Sequence, residues 1–325
     1  MRKNKLYVVL PCYNEEPVLR ETADILKQKM NRLLREEKIF SGSRIVFVDD
    51  GSSDRTWRMI KELHEQDSLF SGISLAANKG HQNALLAGLM TVMDRCDVTI
   101  SMDADLQDDV DAMDEMLEQY QNGCEIVYGV RDSRECDTAF KKYTAEGFYK
   151  LLQRMGADII YNHADYRLMS RKALKALSEY REVNLFLRGL VPMIGYQTAQ
   201  VSYSRKKRTA GESKYPLSKM LSLAFEGATS LSTKPLRMIT ALGFFISAFS
   251  IIILSYTLVR HFTGNTVIGW TSTVLSIWTM GGLMLLSIGI VGEYVGKIYM
   301  EAKGRPRYLV KDILEDDDRE YEERA

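Results

Sequence analysis

The sequence contains few cysteines, has no net charge and lacks the common glycine motifs of nucleotide-binding proteins. Its four cysteines show no metal-ligand spacing, so buried free thiols in a reducing compartment are expected rather than disulfides. Lysine plus arginine equals aspartate plus glutamate, at 43 each, so the charge gives no indication of a nucleic-acid partner and none is expected. The lack of G-x-G-x-x-G after the first predicted strand argues against a dinucleotide fold, and the lack of G-x-x-x-x-G-K-[ST] excludes P-loop phosphoryl transfer.

Two long stretches near the C-terminus lack charged residues altogether. They run from Met238 to Val259 and from Phe262 to Gly292, and each is long enough to cross about 30 Å of hydrocarbon as a helix. Neither has a polar face, so two transmembrane helices are predicted rather than two buried helices of a soluble protein. Basic residues flank the pair on both outer sides, at Lys234, Arg237, Lys297, Lys303, Arg305 and Arg307. The positive-inside rule therefore predicts a multi-pass protein of the inner (cytoplasmic) membrane with both termini in the cytoplasm.

The first 170 residues alternate predicted strands and helices, which indicates a parallel sheet with helices on both faces. The N-terminus has no signal-peptide core and leads directly into the first strand. The predicted strands are Leu6–Leu10, Arg44–Val48, Ile73–Leu75, Cys96–Ile100 and Glu125–Gly129. Ligands of open sheets bind beyond the carboxyl ends of the strands. Four polar segments fall there, namely Pro11–Glu15, Asp49–Gly51, Asn78–Gly80 and Asp103–Asp105.

The pair Asp103 and Asp105 follows a short β-branched strand. Successive side chains of an extended chain point to opposite faces, so these two aspartates share a face while Ala104 turns away. Two carboxylates at this spacing can bind one hard divalent cation through oxygen. Such a cation would keep some water and take its other ligands from a substrate diphosphate.

Four motifs resemble those of a known family in order and spacing. They are Leu10–Glu15, Val48–Asp54, Asn78–Ala84 and Asp103–Gln107. With the two apolar stretches, they resemble the inverting, nucleotide-sugar-dependent glycosyltransferases of family 2, in the polyprenyl-phosphate branch that includes dolichol-phosphate mannose synthase and the bactoprenol glucosyltransferases. The resemblance covers nearly the whole chain. It implies an α/β, GT-A-like fold, in which a mostly parallel nucleotide-sugar-binding sheet with helices on both faces precedes an interfacial amphipathic helix and two transmembrane helices.

The resemblance implies a nucleotide and metal site at the strand ends. The expected nucleotide-binding residues are Pro11, Tyr13, Glu15, Asp50, Lys79, Asp103 and Ala104. Among them, Pro11, Tyr13 and Glu15 would line the base and ribose and Asp50 would hold the base, although Tyr13 packing a loop and Asp50 making an Asx turn remain alternatives. The expected ligands of Mg²⁺ or Mn²⁺ are Asp103, Asp105 and Gln107, and Asp105 is also predicted to be catalytic.

The resemblance also implies an acceptor side. Asp165 and Arg167 match the D-x-R strand of the family, where the aspartate lies near the sugar and the arginine reaches a phosphate, and both are predicted to be catalytic. A structural Asp–Arg pair is the alternative. The expected acceptor- and phosphate-binding residues are Arg131, Arg188, Arg205, Arg208 and Lys214. The last three belong to a basic loop that fits the R-x-x-G-x-S-K loop of the family, with a solvated patch or a lipid anchor as the alternative.

The expected domain organisation follows from these motifs. A cytoplasmic glycosyltransferase domain spans 1–212, a juxtamembrane amphipathic helix 213–234, two transmembrane helices 235–298 and a cytoplasmic tail 299–325. Gly304–Val310 is expected to return to the soluble domain as an extended piece. Gly292 and Gly296 have the spacing of helix-association motifs, so a homo-oligomer is left open.

The predicted function is inverting transfer of a sugar from a nucleoside-diphosphate sugar, UDP-glucose or a related UDP-hexose, to undecaprenyl phosphate at the cytoplasmic membrane face. The expected partners are a nucleotide sugar, a polyprenyl phosphate and the lipid bilayer. One alternative is a transferase acting on a hydroxyl of a glycolipid or polysaccharide, which needs a general base, and Asp165 is the candidate for that base. Another is a membrane-anchored assembly subunit without turnover. No tryptophan follows an arginine, so the Q-x-x-R-W signature of processive synthases is absent.

Overall fold

The computed structural model describes residues 3–105, 107–131, 163–183, 185–204 and 269–314, together with single residues and short runs between 236 and 259. These residues fall into two compact units. One unit contains the residues up to 204 and those from 306 to 314, and the other contains the described residues between 236 and 305. The predicted amphipathic helix at 213–234 and most of the first predicted span lie outside the described residues.

The first unit is built on one mixed sheet. Its eight strands are β1 (Leu6–Cys12), β2 (Arg44–Asp49), β3 (Phe70–Leu75), β4 (Val98–Ser101), β5 (Ile126–Arg131), β6 (His163–Ser170), β7 (Thr198–Tyr203) and β8 (Val310–Leu314). Their order across the sheet is β7-β5-β6-β4-β1-β2-β3-β8. Strands β1 to β4 pair in parallel, and β5 pairs in parallel with β7, whereas β6 and β8 run antiparallel to their neighbours.

The sheet is therefore less uniformly parallel than the sequence predicts. The difference arises because the D-x-R segment forms β6 between β4 and β5 and runs against both of them. A repeating strand–helix pattern would make β4 and β5 neighbours. The inserted strand places its own polar residues beside the end of β4 instead.

Helices cover both faces of the sheet, as predicted. In this unit the described helices are α1 (Leu19–Arg35), α2 (Thr56–Gln66), α3 (His81–Val92), α4 (Ala112–Gln121), α5 (Arg171–Ser178) and α6 (Leu187–Met193). Alternate residues of β1 enter two separate cores, because side chains alternate across a strand. Val8 and Leu10 pack with residues of α1 and α4, whereas Tyr7 and Val9 pack with residues of α3 and α5.

Strand β1 continues through Pro11, which the sequence predicts as its end. Pro11 pairs with Val48 of β2, while the pairing between β1 and β4 stops at Val9 and Ser101. Proline is tolerated in a sheet where its missing N–H faces no neighbouring strand. The structure meets this condition because β4 has ended before the level of Pro11.

The order β4-β1-β2-β3 contains a topological switch point between β1 and β4. From β1 the chain builds β2 and β3 on one side and then crosses to place β4 on the other. The crevice beyond the carboxyl ends of two such strands is where open α/β sheets bind ligands. Here Pro11–Glu15 follows β1 and Asp103–Asp105 follows β4.

The second unit contains one long apolar helix, α7 (Trp270–Ala302). Its portion Thr279–Ala302 is the one helix among the described residues with the length and composition to cross a membrane. Apolar side chains such as Ile277, Leu285 and Ile288 are exposed along it. The second predicted span therefore corresponds to a helix, whereas the first span is not tested by the described residues.

The segment after α7 returns to the first unit. Strand β8 pairs antiparallel with β3, with Ile313 opposite Ile73, and the amide of Ala76 donates to the carbonyl oxygen of Leu309 over 2.9 Å. An extended return was predicted for Gly304–Val310, and the strand begins at Val310.

Three of the cysteines are free and buried, as expected, namely Cys12, Cys96 and Cys124. Burial raises the pKa of the Cys96 thiol to about 12. These thiols are therefore core residues in this unit. Cys136 lies outside the described residues.

Candidate active site

The turn that follows β4 carries the two aspartates predicted to bind metal. Asp103 and Asp105 are half-buried, whereas Ala104 between them is buried. The Thr22 hydroxyl of α1 donates to the carbonyl oxygen of Ala104 over 2.8 Å, and the Gln107 amide donates to Asp105 Oδ1 over 3.2 Å. The turn is thus held from both sides, and the metal-binding role of its two aspartates stays a prediction.

Three other carboxylates lie close enough to Asp103 to affect its pKa. Burial and the negative charges of Asp108, Asp165 and Asp105 raise the pKa of Asp103 to about 6, although His81 acts in the opposite direction. Burial is the largest cause of this shift, and the three carboxylates add to it because they repel a negative charge on Asp103. A bound cation would remove this repulsion.

The donor set fits a hard divalent cation. Carboxylate oxygens such as those of Asp103 and Asp105 are the ligand type that Mg²⁺ and Mn²⁺ prefer. Among the described residues there is no group of three or more His, Cys, Asp or Glu side chains that would hold a metal without other ligands.

Asp165 of β6 lies in the same region and is tightly held. Its Oδ1 accepts from Arg167 Nη2 over 2.7 Å, and its Oδ2 accepts from Arg188 Nη2 over 3.0 Å. Burial raises the pKa of Asp165, but Arg188, His81 and Arg167 outweigh that effect and hold it well below the usual value. The Asp165 carboxylate is therefore ionised and has both oxygens engaged by guanidinium groups.

Arg167 lies on β6 and is buried beside Asp165. Its side chain is 1% exposed, donates to Asp165 and also donates from Nη1 to the carbonyl oxygen of Leu187 over 3.3 Å. These contacts are those of a structural Asp–Arg pair, and the expected role of Arg167 at a phosphate stays a prediction. Arg188, at 36% exposure, is the guanidinium of this group that faces outward.

His81 at the start of α3 joins the two sets of carboxylates. Its Nε2 lies 3.5 Å from Asp103 Oδ1 and 3.5 Å from Asp165 Oδ2. Burial lowers the pKa of His81, but the hydrogen bond to Asp165 and the charges of Asp103 and Asp165 outweigh burial, so the pKa of His81 is raised above its usual value. Since this nitrogen faces two acceptors, it acts as a donor.

Asp50 binds backbone rather than facing an open pocket. It is buried, and its Oδ1 and Oδ2 accept from the amides of Lys79 and Gly80 over 2.7 Å and 2.8 Å. Burial raises the pKa of Asp50 despite these two hydrogen bonds. The contact joins the end of β2 to the turn before α3, and its predicted role in holding the base stays a prediction.

Three of the predicted nucleotide-binding residues lie at the end of β1, namely Pro11, Tyr13 and Glu15. Pro11 is buried within β1, and the Tyr13 ring beyond it is 48% exposed. The amide of Glu15 donates to the Thr56 hydroxyl over 2.9 Å, so this loop is held against α2. Tyr13 is therefore an exposed aromatic residue at the switch point.

Arg131 ends β5 beside a buried aspartate. Its Nε donates to the Tyr203 hydroxyl over 3.3 Å, and its Nη2 lies 3.7 Å from Asp108 Oδ1. The Tyr203 hydroxyl in turn donates to Asp108 Oδ1 over 2.5 Å. The remaining predicted phosphate ligands, Arg205, Arg208 and Lys214, lie outside the described residues.

Four residues that were not predicted to belong to the site contact its residues or their direct neighbours in the structure. They are His81, Gln82, Asp108 and Tyr203. His81 and Gln82 belong to the motif Asn78–Ala84, in which only Lys79 was predicted to be a site residue. Asp108 follows Gln107 directly, so its position was available from the motif. Tyr203 had no sequence indication, because its contact with Asp108 joins residues 95 positions apart.

Comparison with known proteins gives consistent results. The family model "Glycosyl transferase family 2" matches residues 7–178. The chain is 50% identical over 305 residues to the uncharacterized glycosyltransferase YkoT of Bacillus subtilis (strain 168), covering 94% of this chain and 90% of that one. It is 38% identical over 309 residues to the bactoprenol glucosyl transferase of Shigella phage SfX, covering 94% and 99%.

Among solved structures, the mannosyltransferase PcManGT from Pyrobaculum calidifontis, in complex with GDP-Man and Mn²⁺, aligns with a TM-score of 0.45 and 15% identity, covering 82% of this chain and 84% of that one. The family match and the near full-length relatives decide the assignment. On these grounds the chain belongs to glycosyl transferase family 2.

Proposed function

We propose that this glycosyltransferase transfers a hexose from a UDP-hexose, such as UDP-glucose, to undecaprenyl phosphate or a similar polyprenyl phosphate, with inversion at the anomeric carbon. Relatives named bactoprenol glucosyl transferase, 38% identical over 94% of the chain, support this acceptor class. The apolar helix α7 supports a membrane-bound acceptor.

The choice of a phosphate acceptor over a hydroxyl acceptor rests on the contacts and the pKa of Asp165. A hydroxyl acceptor needs a general base, and an effective base has a pKa near the working pH. Asp165 is the sequence candidate for that base, but Arg167 and Arg188 engage both of its oxygens and its pKa lies well below the usual value. An acceptor phosphate is already anionic at neutral pH and needs no base, so the geometry favours it over a hydroxyl.

The bond changes balance without a proton transfer. An acceptor phosphate oxygen attacks the anomeric carbon in line, a new carbon–oxygen bond forms, and the bond from that carbon to the diphosphate oxygen breaks. The nucleoside diphosphate leaves with the electron pair. An α-linked donor thus yields a β-linked lipid-phosphate sugar.

The charge that grows on the leaving diphosphate is the main electrostatic demand on the protein. Mg²⁺ or Mn²⁺ bound to Asp103 and Asp105, with Gln107 as a further ligand, would neutralise that charge. Of these two aspartates, Asp103 is the one that lies beside His81. We assign Arg188 to the acceptor phosphate, because one side of its guanidinium holds Asp165 and the group is partly exposed.

The remaining roles belong to the same proposal. Tyr13 would stack on the base, with Pro11, Glu15, Asp50, Lys79 and Ala104 completing the nucleotide site. Arg131 and the basic-loop residues Arg205, Arg208 and Lys214 would bind phosphates. The proposed organisation keeps a catalytic domain at 1–212, an interfacial helix at 213–234, two membrane spans within 235–298 and both termini on the cytoplasmic side of the inner membrane.

The test uses membranes that contain the protein, a panel of radiolabelled nucleotide sugars, added undecaprenyl phosphate and extraction of the lipid product. We expect label in a lipid phosphate from a UDP-hexose. Label on a glycan or glycolipid hydroxyl would contradict the acceptor, and no turnover with any donor would favour the assembly-subunit alternative.

The Asp105→Asn variant tests the metal assignment in the same assay. We expect it to lower transfer by at least about a hundredfold while expression and membrane insertion stay normal, because a cation ligand is lost. EDTA should have the same effect, reversed by added Mg²⁺ or Mn²⁺. Asp94→Asn is the matched control, since Asp94 is 71% exposed and pairs with Lys175 on the surface. Full activity of Asp105→Asn, or of the wild type in EDTA, would overturn the assignment.

A further inference from the structure

The turn before α3 is fixed to the end of β2. Both oxygens of Asp50 accept backbone amides of this turn, from Lys79 and Gly80, and Gly80 has a φ of +85°. Gly51, next to Asp50, packs directly on the same turn, because a Cβ at this position would lie 2.8 Å from the Asn78 nitrogen. The first residues of α3 therefore start from a backbone position that the donor side of the sheet determines.

His81 is the first residue of α3 and lies between the two sides of the site. Its Nε2 is 3.5 Å from Asp103 Oδ1 on the side of the metal ligands and 3.5 Å from Asp165 Oδ2 on the side of Arg188. A single imidazole thus spans two carboxylates that come from different strands. Their separation depends on where α3 begins.

Gln82, the second residue of α3, holds the helix that carries Arg188. Its Oε1 accepts from the amide of Leu187 over 2.9 Å, and Leu187 is the first residue of α6. The first amides of a helix have no acceptor within the helix, and α6 receives no side-chain cap from its own N-cap residue, Phe186. Gln82 therefore acts as a capping residue supplied by another element.

Arg188, the residue after Leu187, links α6 to Asp165. Arg188 donates from Nε and Nη2 to the two oxygens of Asp165, over 3.3 Å and 3.0 Å. Leu187 also accepts from Arg167 through its carbonyl oxygen. The Gln82–Leu187 hydrogen bond thus determines the starting point of the segment from which Arg188 reaches Asp165.

We propose that His81 and Gln82 form a positioning pair at the N-terminus of α3, which sets the acceptor-side group Asp165–Arg188 against the donor-side Asp103. The inference rests on the proposed function, because it assigns the acceptor phosphate to Arg188. Neither residue needs to touch the reacting atoms. His81 fixes the distance between the two sides, and Gln82 fixes the orientation of the acceptor side alone.

The two residues therefore have different kinetic effects. Loss of the Gln82 acceptor leaves the Leu187 amide without its cap and loosens Arg188, while Asp103 and Asp105 keep their supports from Thr22 and from the Gln107 amide. The acceptor KM should change and the donor KM should not. Loss of His81 removes contacts to both sides, so the acceptor KM and the donor KM should both change.

The experiment compares Gln82→Met, which has a similar shape but no acceptor oxygen, with Gln82→Glu, which keeps one. We expect Gln82→Met to lower kcat/KM for polyprenyl phosphate about tenfold, the size of one lost hydrogen bond of ordinary strength, with the KM for the UDP-sugar unchanged. Gln82→Glu should restore most of the loss. Gln121→Met makes the same chemical change at the exposed end of α4 and should behave as the wild type.

Hydrogen exchange of the Leu187 amide gives a readout that does not depend on the acceptor. Exchange should be faster in Gln82→Met than in the wild type and close to the wild-type rate in Gln82→Glu. Unchanged acceptor kinetics in Gln82→Met, or an equal rise in both KM values, would overturn the positioning role. Failure of the proposed function is distinguishable, because the wild type itself would then form no lipid-phosphate sugar.

Discussion

Gly51 joins two loops of the site because it has no side chain. It has a φ of +67°, a backbone conformation that L-residues adopt at a cost. A Cβ at this position would lie 2.8 Å from the Asn78 nitrogen and 3.0 Å from the Ala77 carbonyl carbon. Backbone atoms at that distance cannot move away as a flexible side chain would. The contact that supports the start of α3 therefore depends on glycine.

We expect Gly51→Ala to lower the free energy of unfolding by about 2–5 kcal/mol, the sum of left-handed strain and overpacking. Gly123→Ala is the matched control, since Gly123 has a φ of +99° but open space around its Cβ position. It should show the strain alone, about 1–2 kcal/mol. Thermal unfolding of both variants in detergent measures the difference. Equal destabilisation of the two would show that the contact with Ala77 and Asn78 does not matter.

At the residue scale, the sequence predicted some of the side chains around the end of β4 but not how they are bound. Asp103 and Asp105 were predictable as a pair because they lie two positions apart just after a strand. The backbone contacts of Asp50 and the burial of Arg167 were not, since they depend on partners that long-range folding supplies. Lys79, for example, contributes an amide located 29 positions from Asp50.

Helices α1 and α4 are joined by a network of charges across the edge of one core. Lys29 lies on the otherwise apolar face of α1, near Leu26 and Met30, and its side chain is 2% exposed. Its ammonium group pairs with Asp111 and Asp114 at the start of α4. A buried ammonium group is tolerated only when it is paired in this way.

The Asp114 carboxylate makes stability depend on pH. Burial raises its pKa, but hydrogen bonds and charges from Lys29 and Lys38 outweigh that effect and lower it to about 2. A carboxyl group with a folded pKa below its unfolded value of about 3.9 stabilises the fold above pH 4, and the contribution is lost as the pH falls towards 2. The Asp114→Asn variant lacks this contribution at every pH.

We therefore expect Asp114→Asn to be less stable than the wild type by about 2 kcal/mol at pH 7, the size of hydrogen bonds to a charged group. The difference in the free energy of unfolding between the variant and the wild type should narrow between pH 4 and pH 2, because Asp114 of the wild type becomes protonated there. Glu115→Gln, a change on the exposed side of the same helix, is the control. The measurement is the unfolding midpoint against pH, and a gap that stays constant down to pH 2 would contradict the assignment.

At the element scale, regular alternation of strands and helices made β1 to β4 and α1 to α4 predictable. The antiparallel pairing of β6 and of β8 was not, because strand direction depends on how the chain returns to the sheet. Local patterns also placed the end of β1 too early, at Pro11. The length of the neighbouring β4 decides that boundary, and the sequence of β1 carries no information about it.

For the whole molecule, the chain leaves the first unit, forms α7 and then completes the sheet through β8. The register places Leu314 opposite Gly72, and an added Cβ at Gly72 would lie 3.1 Å from Leu314 Cδ1. Trp57 and Ile60 of α2 approach the same position. The edge of the sheet is thus covered by residues that follow the apolar helix.

Deletion of residues 306–325 should destabilise the first unit by about 3 kcal/mol, through the loss of strand hydrogen bonds and of the packing at Leu314. Deletion of residues 315–325 keeps β8 and is the matched control. We expect α7 to reach the membrane in both variants, and limited proteolysis should attack the catalytic unit faster only in the longer deletion. Equal proteolysis rates would show that β8 does not stabilise this unit.

The position of β8 in the chain also has a consequence for biosynthesis. A ribosome makes β8 only after it has made α7, so until then the outer edge of β3 lacks its partner strand, although its other edge can pair with β2. Unpaired strand edges of this kind recruit other chains. Synthesis of the apolar helix must therefore precede closure of the sheet.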